Sequence, residues 1–235
     1  MIELNQLILA VLAFVGGHFL LSSRAMRENL VERLGNGGFR IAYSAVAAAT
    51  LAWIVLAYKN APYIEVWSPP AFFSHITLVI MPVAVFLVVA GVTTRSPTAV
   101  GGDQFDQPDP NVPNSGILRV TRHPFLWGVA LWALAHLLDN GDAAAIIRLI
   151  GMLILCLGGM AHIDARRAAS MGPSWGPIQM TTSAIPFAAL VSGRTSMDWA
   201  GIGWWRPLLA LVVFLALLLS HRWVIGVSPL PMAGV

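Results

Sequence analysis

Apolar residues run along this chain in long unbroken stretches instead of alternating with polar ones: about 5–23, 41–58, 75–93, 143–163 and 207–221. Each meets or approaches the roughly 20 apolar residues that carry a helix across a bilayer. A sixth stretch, 124–139, is shorter, but it begins at a proline and is rich in Trp and Leu, as suits a helix anchored at a membrane interface. The pattern predicts an all-α, polytopic transmembrane bundle of six spans, one domain over residues 1–235. Turn-forming residues separate the spans: Gly35 to Gly38, the connection from Pro62 to Pro70, and a polar run from Arg95 to Gly116. The last connection, about 166–204, contains an apolar piece, Ile185 to Val191, too short to span and expected to be re-entrant or interfacial.

Composition agrees with the pattern. Hydrophobic residues make up 57% of the chain and charged residues 11%, with a mean hydropathy of +0.73. A soluble domain carries about a quarter charged residues, so this chain could not cover its surface with polar groups in water. One cysteine, Cys156, excludes a disulfide scaffold, and mid-span it is expected to act as a small buried hydrophobe. Met1 to Glu3 carry an acid and no basic residue, and no A-x-A site follows, so the first span is expected to stay in the mature protein.

The net charge of +3 does not point to nucleic acid, because the basic residues are not clustered on one polar face. They alternate by loop. Arg24, Arg27, Arg33, Arg40, Arg95, Arg119, Arg122, Arg166, Arg167, Arg194 and Arg206 fall on one side of a six-span arrangement, and Lys59, Arg148 and Arg222 on the other. Positive residues favour the cytoplasmic side, so both termini are expected to face the periplasm of an inner membrane.

Polar side chains in or beside hydrocarbon are costly and point to function. Six histidines qualify: His18, His75, His123, His136, His162 and His221. His18, His136 and His162 lie inside spans. Imidazole suits axial ligation of haem iron, and the pairs Gly16-Gly17 and Gly158-Gly159 would let a flat cofactor or another helix approach the backbone. The competing reading is helix packing through small residues, with each His bonded to a carbonyl. Neither C-x-x-C-H nor a zinc-type Cys/His spacing occurs, which argues against covalent haem and structural zinc.

Two further clusters stand at the basic ends of spans. Arg122 and His123 precede Pro124, where a helix N-terminus would favour an anionic group; a plain positive anchor reads equally well. In His162-Ile-Asp-Ala-Arg-Arg, His162 and Arg166 share a helical face and could line a cytoplasmic pocket. The alternative makes Arg166 and Arg167 stop-transfer charges paired with Asp164.

Taken in order, Gly17-His-Phe-Leu-Leu-Ser, Thr121-Arg-His-Pro-Phe-Leu-Trp-Gly, Leu134-Ala-His-Leu-Leu, Asn140-Gly-Asp, His162-Ile-Asp-Ala-Arg-Arg and Thr182-Ser-Ala-Ile-Pro-Phe resemble the NnrU family over nearly the whole chain. That family is associated with nitrite and nitric oxide reduction in denitrification, and it embraces a plastid zeta-carotene isomerase, a membrane haem b enzyme acting on a polyene. The resemblance implies haem b, with His18 and His136 as metal ligands and His123 as the histidine of a His-Pro motif. It also implies either a redox-linked role in nitrogen-oxide metabolism or isomerase-like chemistry on an apolar polyene or lipid. Arg122 to Gly128 is similar, more distantly, to a motif of isoprenylcysteine carboxyl methyltransferases and sterol reductases. That likeness implies a nucleotide-like cofactor held by Arg122, His123, Asp164 and Arg166. A non-enzymatic membrane partner or transporter is the third reading.

Depth arithmetic offers a different ligand pair. At about 1.5 Å per residue, His18 lies roughly 9 Å from Arg24 and His136 roughly 21 Å from Arg122. His162, about 6 Å from Arg166, is closer to the level of His18. The resemblance favours His18 with His136, straight helices favour His18 with His162, and tilt can reconcile the former.

Overall fold

The computed structural model describes residues 2–99, 102 and 115–230. Most of the polar run from Arg95 to Gly116, and both extreme termini, lie outside them. Among the described residues all extended regular structure is helical: α1 (Ile2–Ser22), α2 (Arg24–Asn60), α3 (Phe72–Thr93), α4 (Ile117–Val120), α5 (Pro124–Asp139), α6 (Ala143–Met171), α7 (Trp175–Thr181), α8 (Ala188–Val191), α9 (Trp199–Ile202) and α10 (Trp205–Val224).

Five helices are long and apolar enough to cross a membrane, and α5 is the shorter sixth. Their outward faces carry bare aliphatic residues such as Leu12, Val79 and Leu219, a cost in water and none in lipid. The expected turn at Gly35 is a kink within a longer helix. Gly35 alone leaves helical geometry (φ 71°), and the chain from Arg24 to the kink is already helical. Such a positive φ is strained for any residue with a Cβ.

The long helices pack in the order α2, α1, α6, α5, α3, α10. Glycine sets the tightest contact. A Cβ on Gly91 of α3 would stand 2.5 Å from the Phe125 nitrogen, and one on Gly128 of α5 would stand 2.7 Å from the Ala84 oxygen, so α3 and α5 meet backbone to backbone. Thr77 of α3 donates to the Ala135 carbonyl at 3.0 Å, deep in the same contact. The glycine pairs singled out in the sequence part company. Gly158 receives the Phe19 ring of α1 (2.9 Å), whereas Gly16 and Gly17 face open space.

The bundle has two chemically different ends. At one, the 61–71 and 140–142 connections dock: Gly141 oxygen accepts from Val66 and Trp67 (2.8 and 3.2 Å), and Asp142 caps α6 by accepting from the Ala145 amide. Arg148 is covered there by the Tyr58 and Trp132 rings (4.5 and 5.8 Å). The other end carries most of the arginines. There α6 continues well past its apolar stretch to Met171, and the 172–204 segment folds across it. The Ile185 to Val191 piece is a bend and the short α8, with Ile185, Phe187 and Val191 exposed.

Candidate functional site

The residues expected to form a site, His136 apart, are divided among three places. The first is a buried ion cluster where α5 begins. Pro124 fits the first turn because its missing N–H is not needed there, and it leaves His123 just outside the helix with φ −120°. From that position Arg122 donates to both oxygens of Asp164 on α6, Nε at 2.9 and 3.0 Å and Nη2 at 2.5 Å. His123 Nε2–H donates to the same carboxylate at 2.8 Å. The Arg122 guanidinium also lies 5.9 Å from the Trp175 ring centre. The anion awaited at the head of α5 is therefore Asp164 itself, and the partner of Asp164 is Arg122 instead of Arg166.

The 183–187 stretch clamps this cluster from outside. Arg122 N–H donates to the Ser183 carbonyl (3.0 Å), and Phe187 N–H to the Val120 carbonyl (2.8 Å). The Thr121 hydroxyl and the Trp127 indole both donate to the Ala184 carbonyl (2.9 and 2.7 Å), and Thr98 donates to the Arg122 carbonyl. Two motifs about sixty residues apart in sequence thus form one hydrogen-bonded unit. His123 is fully buried on its side chain, and its Nδ1 has no hydrogen-bond partner among the described residues.

The second place is the contact of α1 with α6. His162 Nε2–H is shared between the carbonyl and hydroxyl oxygens of Ser22 (3.0 and 3.1 Å), and its ring meets Phe19 edge-on at 5.9 Å. His162 therefore ties the basic ends of the two helices together, away from the ion cluster.

The third is a shallow groove between α1 and α2, open on one side and enclosing no cavity, lined by Phe14, Gly17, His18, Tyr43 and Thr50 among others. His18 Nδ1–H donates to its own helix at the Phe14 carbonyl (2.7 Å). Its ring packs against Phe14 at 4.4 Å and Tyr43 at 5.5 Å. The chain continues as a column, with Tyr43 against Phe39 at 6.0 Å and Arg27 over Phe39 at 5.4 Å. Tyr43, Phe39 and Arg27 were not singled out in the sequence. The usable signal was an aromatic with a polar tip at the basic edge of the second span.

His136 occupies none of these places. Its Nδ1–H donates to the Trp132 carbonyl at 2.9 Å, with Trp132 and Arg148 beside it. The level of each histidine can be read on α6. Gly158 touches Phe19, next to His18, while Arg148 covers Trp132, one turn before His136. Ten residues of α6 separate those contacts, about 15 Å along the axis. On this count His18 and His136, the pair the resemblance implies, stand at different levels of the bundle. His18 has the setting of a single ligand. Its Nδ1 proton is fixed by a carbonyl, the arrangement that leaves Nε2 free for a metal, and it stands beside the open space at Gly17. Among the described residues no group of three or more His, Cys, Asp or Glu is placed to hold a metal ion by itself.

Asp198, at the head of α9, accepts from the Gly201 and Gly116 amides (2.9 and 2.8 Å). These two hydrogen bonds to its charged form hold its carboxyl below the usual range. Asp198 thereby fixes the chain at Gly116 to the 198–206 segment. Arg206 continues the tie into the bundle by donating to Thr93 at the end of α3 (3.0 Å).

Comparison with known proteins bears on the same residues. No solved structure matches the chain. Among curated proteins, the chain is similar to the chloroplastic 15-cis-zeta-carotene isomerase of Zea mays, 34% identical over 92 residues, which is 39% of this chain and 25% of the relative. The Arabidopsis thaliana protein of the same name is 38% identical over 89 residues, 38% of this chain and 24% of the relative. The matched stretch thus spans about a quarter of either relative. The NnrU protein family model extends over residues 6–229, from the first turns of α1 past the end of α10. That reach takes in the ion cluster, the α1–α6 contact and the groove alike, and the chain belongs to the NnrU family.

Proposed function

We propose that this multi-pass protein acts in redox-linked, isomerase-like chemistry on an extended apolar molecule, a polyene or lipid, with haem b held through His18. One observation carries the reading. His18 lines a groove, with its Nδ1 anchored to Phe14 and bare glycine backbone alongside. The likeness to proteins named as carotene isomerases supports the choice of an apolar polyene. When bound, haem b would supply a one-electron couple and an iron position open to a small ligand or a double bond. The protein's own part is to fix the imidazole tautomer, to line the approach with Phe14 and Tyr43, and to keep water from the groove with apolar side chains.

The nucleotide-cofactor reading loses support from the ion cluster. Arg122 through Nε and Nη2 and His123 through Nε2 already donate to Asp164, so an incoming anion would have to compete with a half-buried carboxylate. Titration with S-adenosylmethionine or NADPH is expected to show no saturable binding. Orientation follows from the arginine-rich end: Lys59 and Arg148 outside, Arg33 and Arg119 in the cytoplasm, of an inner membrane. Cysteine labelling at position 59 reads this directly, and a cytoplasmic Lys59 would reverse it.

Absorption spectroscopy tests the cofactor. Protein purified in detergent from haem-replete cells is expected to show a Soret band that shifts on reduction, and mixing the reduced form with a cis-polyene is expected to change the polyene's absorption. Colourless protein that takes up no added haemin overturns the reading.

A further inference from the structure

Arg148 lies within the apolar stretch of α6, six residues past the Asp142 cap and so about 9 Å along the axis. It stands at the arginine-poor end of the bundle, where basic residues are disfavoured. Its guanidinium is held between rings from two other helices, Tyr58 of α2 at 4.5 Å and Trp132 of α5 at 5.8 Å. Such contacts steady the charge but give its N–H groups no oxygen to donate to. Among the described residues Arg148 makes no hydrogen bond and no ion pair, and its Nε is sealed in without a partner. The acids of this end are placed otherwise. Asp139 accepts from the Ser74 hydroxyl and Asp142 from the Ala145 amide, both at 2.9 Å, and Glu65 is exposed on the 61–71 connection. The Tyr58 hydroxyl and the Trp132 indole N–H also have no hydrogen-bond partner among the described residues. Like the terminal nitrogens of Arg148, they are not closed off from the surroundings.

Donors from three helices thus gather around one cation with no acceptor supplied by the chain. An unpaired charge beside hydrocarbon is costly and points to a partner. We infer that Arg148, set between the Tyr58 and Trp132 rings, binds a phosphate oxyanion, the headgroup phosphate of a membrane lipid. A guanidinium fork matches phosphate oxygens two at a time and holds its charge at every working pH. Level favours a lipid as the source. Trp and Tyr side chains settle where the headgroups meet hydrocarbon, and a phosphate there reaches the guanidinium while its acyl chains lie along the exposed Leu134 and Ile150. Inorganic phosphate presents the same oxygens without the chains.

The experiment uses the full-length protein in a phosphate-free maltoside detergent and two probes, dioleoylphosphatidylglycerol and inorganic phosphate, each titrated against the thermal midpoint. Phosphatidylglycerol is expected to raise the midpoint saturably, as a ligand of the folded state does. Arg148→Gln is expected to raise the lipid concentration needed for half that effect about tenfold or more, the loss expected for charge-assisted hydrogen bonds. Arg148→Lys, a charge without the fork, is expected to recover part of it. Arg222→Gln, an exposed arginine near the end of α10, is expected to change nothing. With unaltered protein, dioleoylglycerol, the same chains without phosphate, is expected to give no such rise, so the result does not depend on how well any variant folds. Arginine-dependent stabilisation by inorganic phosphate as strong as by the lipid keeps the site and assigns it to a soluble anion. A rise that is the same in Arg148→Gln, or the same with dioleoylglycerol, overturns the inference, as does a midpoint that neither probe moves.

Discussion

The start of α5 and the groove between α1 and α2 each present a histidine that the sequence marks, and they differ in what surrounds it. At the start of α5 the groups face each other: Arg122, His123 and Asp164 close a cluster that 183–187 seals with backbone hydrogen bonds. In the groove the His18 ring borders a gap, with open space at Gly17 where α3 and α5 have none at Gly91 and Gly128. Polar residues alone did not distinguish a clamp from a site. Whether the ring is enclosed by the chain, as at His123, or borders open space, as at His18, does.

This comparison breaks first at the clamp. Asp164→Ala leaves Arg122 buried without its carboxylate and is expected to destabilise the protein by about 3–5 kcal/mol, read as a fall in the thermal midpoint in detergent. His18→Ala, beside the open groove, is expected to leave that midpoint within about 1 kcal/mol equivalent of the unaltered protein. A clamp that could be removed without cost would erase the distinction.

A smaller contrast lies in the glycines. Gly91→Ala sets a Cβ against the Phe125 backbone and is expected to cost about 1–3 kcal/mol through overpacking. Gly17→Ala meets no atom within 4 Å and is expected to leave stability unchanged or slightly raised, through the helix preference for Ala.

The span pattern was legible because lipid, unlike water, asks for no polar face, so each crossing helix is written as one continuous apolar run. The kink at Gly35 was misread as a turn because a single residue with positive φ and a four-residue loop use the same amino acids. The helical stretch ahead of it carries charges at Arg24, Glu28, Glu32 and Arg33, and nothing in that run separates a surface helix from a loop. Asp164 and Arg122 were both marked by sequence, but their pairing joins residues 42 apart, and only the packing of α5 on α6 decides it. The levels of His18 and His136 were half legible. Counting residues from the basic flanks gave a mismatch of about 12 Å, and the helix contacts widen it slightly.

The smallest expected effect lies at Asp198, outside the spans. Its carboxyl is depressed in the folded protein, so its contribution is present above the unfolded value of about 3.9 and fades as pH falls through the lower folded value. Amide exchange at Gly116 is expected to stay protected at neutral pH and to quicken only well below pH 4. Asp198→Asn is expected to reduce that protection at neutral pH without touching the groove.

The most direct test of the groove as the ligand site sets His18→Ala beside His136→Ala in haemin-reconstituted protein and compares Soret bands. The account predicts that the band is lost in the first and unchanged in the second, since His136 stands about 15 Å away along the bundle. A band that survives loss of His18 and disappears with His136 would contradict it.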